Sequence, residues 1–364
     1  MRASGATERS AREGGNEGGS RADRPLYGID AGGSRTAVRT WDGERWEVPS
    51  VNPSSVGQDA SDRVLAGLFG RIRAHASRPA PEPGPVPGGT SARPAIWLAS
   101  ASFDPATAEQ ETRRITAVAR IAGLHAELMV SNDVTPLVLD APIGSGHVVV
   151  VCGTGSAFLA TDGRSAPVRA GGCEYLGSDE GSAFDLGLRG LRAAVRGLDG
   201  RGPPTALTGL LAAAAGAPVP ELARRLAGQP FPKAAVAALA PLVLRAWLDE
   251  DAVAGGLVDD AIGELAAGIR AARDGAAIAG GWQLSVVGGV ATGCPEFFDR
   301  LAAAASRLGA DPVRLISDPA ESVLAALGAL AGQGRIAQGP IAQGPIALSD
   351  PRVDRDTWLL DLPG

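Results

Sequence analysis

The feature that most constrains this chain is the stretch Tyr27–Trp41, YGIDAGGSRTAVRTW. An apolar run ends in Asp30, a Gly-rich turn follows, and the residues after the turn alternate in polarity and are partly β-branched. This pattern predicts two antiparallel strands joined by a tight turn, rather than a strand that feeds a helix. The phosphate loops of dinucleotide-binding and P-loop proteins lie at helix N-termini, so this stretch indicates a different kind of site.

The turn itself is a candidate phosphate site. Its backbone N–H groups, with the hydroxyls that follow, can hold phosphate oxygens. Asp30 stands at the strand end beside them, where a carboxylate could orient a hydrated Mg²⁺ ion. An aspartate that only fixes its own turn explains the same residue equally well. The candidate phosphate-binding residues are Gly32, Gly33, Ser34 and Thr36.

The same pattern recurs about 120 residues later, as expected for an internal duplication. An apolar strand at His147–Val151 leads into the turn Gly153-Thr154-Gly155-Ser156, and a second strand follows at Ala157–Thr161. Two unrelated hairpins would explain the recurrence, whereas a duplicated fold would create two facing phosphate loops. Strands and helices alternate through both halves of the chain, which predicts the α/β class.

Composition divides the chain into four parts. Residues 1–24 are rich in Gly, Ser and charge, which predicts a disordered tail. Residues 25–140 form a first predicted domain that contains a Pro/Gly-rich loop at 78–94. Residues 141–332 form a second predicted domain. Residues 333–364 form a low-complexity tail that repeats IAQGP.

Charge and composition exclude several classes of partner. The net charge is −6 and the pI about 5.3, so we expect no nucleic acid or anionic membrane partner. Since no apolar run approaches ~18 residues and the N-terminus is polar, we expect neither a membrane span nor a signal peptide. Three widely spaced cysteines fit a reducing cytoplasm. The histidines show no metal-ligand spacing, and we expect His75 and His125 at the surface.

Three further motifs carry polar groups at the ends of predicted strands or starts of helices. Asp133, in Ser-Asn-Asp, is either a helix cap or a general base for a substrate hydroxyl. Asp179 and Glu180 lie at a helix start, where acids favour the helix dipole or could bind sugar hydroxyls. Gly288-Gly289-Val290 follows a strand, and is either a plain turn or a place where a base lies against the backbone.

Taken in order, DAGGSRT, SND, GTGSA, GG-x4-GSDEGSA and GGV resemble the motifs of the sugar kinase/actin/Hsp70 superfamily. Within it the chain resembles the BadF/BadG/BcrA/BcrD ATPase family, most closely its N-acetylglucosamine kinase branch. The resemblance covers about residues 25–330. It implies two actin-like, ribonuclease-H-like domains with a nucleotide cleft between them.

The resemblance also implies roles for individual residues. Asp133 would be the catalytic base for the 6-hydroxyl of an amino sugar, and Asp30 would hold Mg²⁺ through water. The two Gly-rich turns, in the first hairpin and at 153–156, would bind the ATP phosphates. The Gly288-Gly289-Val290 motif would contact adenosine. The implied ATP-binding residues are Gly32, Gly33, Ser34, Thr36, Gly153, Thr154, Gly155, Ser156, Gly288, Gly289 and Val290. The implied sugar-binding residues are Asn52, Ser100, Asp133, Thr154, Gly171, Gly172 and Asp179.

The activity implied is phosphorylation of N-acetylglucosamine to its 6-phosphate. The implied cofactors are ATP and Mg²⁺, and the implied partner is a small-molecule sugar. A homodimer is one assembly that the chain could form. Two alternatives stay open: an ATPase that activates a dehydratase through an iron–sulfur cluster, and a non-catalytic sugar- or nucleotide-binding relative. Cys173-Glu174 stands where Trp-Gly is frequent in the family, and Ala157 stands where the kinases have Asn. Both departures fall on the implied sugar pocket.

Overall fold

The computed structural model describes residues 24–78, 93–104, 106–140, 142, 144–332, 344–345 and 357–362. The predicted N-terminal tail, most of the Pro/Gly-rich loop and much of the C-terminal tail lie outside the described residues. The described strands form two β-sheets with helices packed against them, which confirms the α/β class. In this part of the chain, no helix combines the length and apolar character needed to cross a bilayer.

The first sheet contains the predicted Gly-rich hairpin. Its strands are β1 (Leu26–Ala31), β2 (Arg35–Thr40), β3 (Arg45–Pro49), β4 (Ala95–Ser100), β5 (Ala126–Asn132), β11 (Gly344–Pro345) and β12 (Trp358–Leu362). They lie in the order β11-β12-β5-β4-β1-β2-β3. β1 pairs antiparallel with β2, and it pairs parallel with β4, which pairs parallel with β5. The carboxyl ends of β1, β4 and β5 therefore meet at one edge of the sheet.

The second sheet repeats this arrangement. Its strands are β6 (Gly146–Cys152), β7 (Ser156–Thr161), β8 (Val168–Gly171), β9 (Trp282–Val287) and β10 (Ala310–Ile316). Their order, β10-β9-β6-β7-β8, matches β5-β4-β1-β2-β3 strand for strand, with the same parallel and antiparallel pairs. The repeated topology supports a duplicated fold over two unrelated hairpins. The short edge strand β8 was not predicted, because it has only four residues and none of them is buried.

Most helices lie where the apolar periodicity predicts them. Those before the second sheet are α1 (Pro53–Val56), α2 (Gln58–Ala76) and α3 (Ala108–Ile121), followed by a 3₁₀ turn at Pro136–Asp140. Those that follow β8 are α4 (Glu174–Gly177), α5 (Ala183–Leu198), α6 (Leu207–Ala215), α7 (Val219–Ala227), α8 (Lys233–Ala237), α9 (Ala240–Leu248), α10 (Ala252–Gly275), α11 (Gly289–Gly293), α12 (Pro295–Arg307) and α13 (Pro319–Gly332). The Ala/Leu-rich stretch 234–247 is divided between α8 and α9, because Pro241 is confined to the first turn of a helix.

The last helix packs on a different sheet from the one that its predicted domain contains. α13 was assigned to the second domain, yet it packs on the first sheet, where Val323 and Leu327 share a core with Trp97. The approach is close, since a Cβ on Gly28 would lie 2.4 Å from the backbone nitrogen of Leu324. The strand Trp358–Leu362 likewise pairs with β5, although a tail was predicted there. Periodicity predicts an apolar face, but it does not say which sheet that face covers.

Candidate active site

Three adjacent strand ends bring Asp30, Ser100 and Asp133 to one edge of the first sheet. The register places Ala31 opposite Ser100, and Ser100 opposite Asn132, so Asp133 follows directly. Burial first, and then the charge of Asp133, raise the pKa of Asp30 to about 7. The two carboxylates therefore interact, as expected for acids that flank one site.

Asp133 lies in the turn between β5 and the 3₁₀ turn Pro136–Asp140. In the same turn, Asn132 Oδ1 accepts the backbone N–H of Val134 at 3.3 Å. Burial raises the pKa of Asp133 to about 6, opposed by Arg169, by the backbone N–H groups of Asp133 and Val134, and by Lys233. An acid with this pKa is ionised at neutral pH and still basic, which suits a general base.

The two Gly-rich turns face each other. A Cβ placed on Gly33 would lie 3.3 Å from Cβ of Thr154, so the first turn touches the second. Gly32 is held by Ser50, whose hydroxyl donates to its carbonyl oxygen at 2.9 Å. Ser34 is exposed beside them. Backbone N–H groups of the two turns can therefore bind oxygens of the same polyphosphate.

Thr36 does not join these turns. Its side chain is fully buried, and its hydroxyl accepts the backbone N–H of Val51 at 3.3 Å. The predicted phosphate contact by Thr36 is therefore replaced by a supporting role inside the first domain. β-branched residues such as threonine are favoured in strands because they pack well on a half-buried sheet, so the residue type alone does not indicate a phosphate contact.

The second turn is fixed by Asp179. The Ser156 backbone N–H donates to Asp179 Oδ1 at 2.9 Å, and the Ser156 hydroxyl donates to the carbonyl oxygen of Glu180 at 2.8 Å. Both polar groups of Ser156 are thus used within the fold, which differs from the predicted phosphate contact. Gly155 must lack a side chain, because a Cβ there would lie 2.5 Å from Asp179 Oδ1.

Asp179 is also paired with a lysine that the sequence analysis gave no role. Lys233 Nζ lies 2.9 Å from Asp179 Oδ2 and 2.9 Å from Glu174 Oε2. Burial lowers the pKa of Lys233, but its bonds to Glu174 and Asp179 outweigh this effect and leave the pKa raised. Lys233 is the single lysine of the chain, which is the signal that could have identified it. Ser182 caps α5, so capping does not explain Asp179.

Two of these residues hold unusual backbone conformations. Glu174 and Asp179 have φ angles of 61° and 77°, a left-handed region that non-glycine residues adopt at a cost. Glu174 occupies the position at which the family resemblance leads one to expect glycine. Such conformations persist where surrounding contacts impose them, and here both carboxylates contact Lys233.

The remaining predicted sugar contacts belong to four different segments of the chain. Asn52 is buried and caps α1, with Oδ1 accepting the Ser54 N–H at 2.9 Å. The hydroxyl of Ser100 lies 3.0 Å from that of Ser102, so either serine can present an oxygen. Gly171 and Gly172 are exposed at the end of β8, both with positive φ.

The third glycine motif follows β9, beside β6 and its turn. Gly288 has a φ of 119°, and a Cβ there would lie 2.4 Å from the carbonyl oxygen of Cys152, so only glycine fits. Gly289 is exposed, whereas Val290 is buried at 3%. Gly289 is therefore the member of the motif that can meet a ligand, and Val290 supports it from the core.

Two α/β domains with the same strand order and facing Gly-rich hairpins define an actin-like, ribonuclease-H-like protein. The chain belongs to the BadF/BadG/BcrA/BcrD ATPase family, whose model matches residues 105–319.

Individual relatives are more distant. An N-acetylmuramic acid/N-acetylglucosamine kinase of Clostridium acetobutylicum is 25% identical over 186 residues, 50% of this chain and 58% of the relative. The match thus spans little more than half of that protein's length. A candidate N-acetylglucosamine kinase from Chromobacterium violaceum has a similar structure, with a TM-score of 0.59 and 25% identity, over 84% of this chain and 99% of the other. A Porphyromonas gingivalis structure of the same description shares the fold, with a TM-score of 0.62 and 18% identity over 84% and 99% of the two chains.

Proposed function

We propose that this protein is an ATP-dependent kinase that phosphorylates the 6-hydroxyl of an amino sugar, with N-acetylglucosamine as the first candidate. The observation that carries the proposal is Asp133, a carboxylate with a pKa of about 6 that directly follows β5, at the sheet edge where Asp30 and Ser100 also lie. The names of the two relatives at 25% identity agree with it. The proposal includes a cytoplasmic location and keeps a homodimer as a prediction.

The reaction proposed is a single phosphoryl transfer. The Asp133 carboxylate accepts the proton of the sugar hydroxyl while that oxygen attacks the γ-phosphorus of ATP, and the bond to the β-phosphate breaks to release ADP. The backbone N–H groups of the two facing turns, 32–34 and 154–155, bind the phosphate oxygens, while the Gly153 N–H donates to the carbonyl oxygen of Gly155 at 3.0 Å. Catalysis then rests on positioning and on fixed dipoles, which typically dominate phosphoryl transfer.

Asp30 is the residue that would hold Mg²⁺. Its carboxylate fits a metal site, because burial and the charge of Asp133 raise its pKa to about 7 and so disfavour the charged form. A bound cation would stabilise that charged form. Mg²⁺ favours one or two carboxylates and keeps several waters. When bound, the ion would neutralise charge on the ATP phosphates.

The alternative of a dehydratase activator is less well supported by the cysteines. Cys152 and Cys294 are buried, and burial raises the pKa of Cys152 to about 12, which disfavours the thiolate that ligates iron. Cys173 is exposed, so one chain offers a single accessible thiol. A colourless, iron-free protein after anaerobic purification would exclude the cluster.

An ADP-release assay with Mg-ATP tests the proposal. The sugars are N-acetylglucosamine, glucosamine, N-acetylmannosamine, N-acetylmuramic acid and glucose. We expect sugar-dependent ADP release, strongest with an N-acetylated amino sugar. A rate that no sugar raises above the background ATPase rate would refute the kinase proposal.

A further inference from the structure

A second group of polar side chains lies at the other end of β2, away from its Gly-rich turn. Asp42 and Glu44 belong to the turn between β2 and β3, and His75 lies in the last turn of α2. His75 was expected at the surface, yet its side chain is 2% exposed. Its Nε2 lies 3.3 Å from Asp42 Oδ2 and 3.5 Å from Glu44 Oε1. The three atoms lie within 4.8 Å of one another.

The imidazole ring is held in one orientation. Its Nδ1 lies 3.0 Å from the hydroxyl oxygen of Tyr27, and the rings of Trp41 and Trp46 pack edge-on at centroid distances of 4.8 and 4.9 Å. Nδ1 thus has a partner, and Nε2 points toward the two acids. Among the described residues, this buried Nε2 makes no hydrogen bond, even though two carboxylates are near.

The two carboxylates are also oriented. The Thr40 hydroxyl donates to Asp42 Oδ1, and the Trp46 indole N–H donates to Glu44 Oε2 at 2.7 Å. One oxygen of each acid is left facing His75. Arg78, an exposed side chain, contacts Glu44 Oε1 at 3.2 Å from the solvent side.

We propose that His75 Nε2, Asp42 Oδ2 and Glu44 Oε1 form a binding site for a divalent transition-metal ion, Zn²⁺ in type, with water as a fourth ligand. A tetrahedral ion with bonds of about 2.0–2.1 Å holds its ligand atoms roughly 3.3 Å apart. The distances from His75 Nε2 to the two carboxylate oxygens, 3.3 and 3.5 Å, are close to this value. One imidazole with two carboxylates suits Zn²⁺ better than Mg²⁺, which prefers an all-oxygen set.

The surrounding contacts match those of a metal site. A ligating histidine usually donates its other ring N–H to a fixed acceptor, and Tyr27 provides that acceptor here. Without a metal ion, the two oriented carboxylates would face each other and the buried His75 Nε2, which makes no hydrogen bond, and Glu44 Oε1 would have only the exposed Arg78 as a cationic partner. The bound ion would tie the β2–β3 turn to the end of α2. Its effect therefore falls on the stability of the first domain, not on the chemistry at Asp133.

The test is a zinc titration of the full-length chain without a polyhistidine tag, read by competition with a chromophoric chelator. The variants are Asp42→Asn and Glu44→Gln, which keep size and remove charge at exposed positions. The matched control is Asp162→Asn, in the corresponding Asp-Gly turn of the second hairpin, where the carboxylate binds the backbone N–H groups of Arg164 and Ser165.

We expect the wild-type chain to bind one equivalent of Zn²⁺ and its melting temperature to rise by several degrees with Zn²⁺ but not with Mg²⁺. Asp42→Asn and Glu44→Gln should each weaken binding at least about 10-fold, while Asp162→Asn leaves it unchanged. Co²⁺ should give the intense visible absorption of a four-coordinate site. Equal zinc affinity in the wild type and in both ligand variants would overturn the site, as would an absence of stoichiometric binding. Either result would leave an ordinary His75 ion pair.

Discussion

Lys233 and Asp179 form a buried ion pair, with Lys233 Nζ 2.9 Å from Asp179 Oδ2. The other oxygen of Asp179 accepts the backbone N–H of Ser156 at 2.9 Å, so the pair fixes one end of the second Gly-rich turn. Glu174 holds the ammonium from its other side. A compact ammonium can satisfy two carboxylates at once, whereas a planar guanidinium requires a fork-shaped site.

Replacing Lys233 by Met should therefore leave Asp179 buried without its cation. We expect a loss of about 3 kcal/mol in the free energy of unfolding, typical of breaking a buried pair. Because Lys233 lowers the pKa of Asp133, the acid limb of the activity profile should also move to higher pH. Denaturant unfolding and a pH series measure the two effects.

The control for this variant is Arg225→Met, which removes an exposed pair with Glu221 at 3.9 Å. Exposed pairs of this kind contribute about 0.5 kcal/mol or less. Equal losses in the two variants would show that the buried pair has no special role.

Asp133→Asn should abolish turnover while leaving the fold intact. Loss of a general base costs roughly 10²–10⁴-fold in kcat. Burial raises the pKa of Asp133 to about 6, above its unfolded value, so ionising it at pH 8 opposes folding. The variant should therefore melt at the same or a higher temperature and bind ATP normally by calorimetry. Near-normal turnover would remove Asp133 as the base.

The pH dependence of activity should report the same group. The base must be deprotonated, so kcat/KM should fall as pH decreases through about 6 with saturating Mg²⁺. Asp30, with a pKa of about 7, must lose its proton to hold the ion. At limiting Mg²⁺ the acid limb should therefore move up toward 7. An acid limb that ignores the Mg²⁺ concentration would argue against Asp30 as the magnesium residue.

Two glycines of the second turn provide a steric test. A Cβ on Gly155 would lie 2.5 Å from Asp179 Oδ1, whereas one on Gly153 would have its nearest neighbour at 3.8 Å. Gly155→Ala should displace Asp179 and lower kcat/KM at least about 10-fold, which corresponds to about 1.4 kcal/mol. Gly153→Ala should fold normally. Steady-state kinetics and melting curves of both variants decide whether the Asp179 contact matters.

The sequence predicted the two hairpins because their glycines and alternating residues act locally. The recurrence of these signals predicted a duplicated fold, although the edge strand β8 was not predicted. Long-range contacts were harder to predict. The stripe of α13 that holds Val323 and Leu327 fits either sheet, and Thr36 turned out to support the core.

Candidate site residues were proposed where they stand in short local motifs, and were not proposed where their partners are distant in sequence. Asp133 and Asp179 stand in recognisable motifs. Arg169, whose charge lowers the pKa of Asp133, lies instead on the short strand β8, which was not predicted. His75 meets Asp42 and Glu44 only through the packing of α2 on the hairpin. A spacing of more than 30 residues carries no ligand signature.

Phosphorus NMR of the reaction with N-acetylglucosamine and Mg-ATP identifies both the product and the carbon that carries the phosphate. We expect a phosphate ester coupled to the C6 protons of the sugar, formed in step with ADP by the wild-type chain and not by Asp133→Asn. ADP with free inorganic phosphate and no sugar ester, or an ester at another carbon, would contradict it.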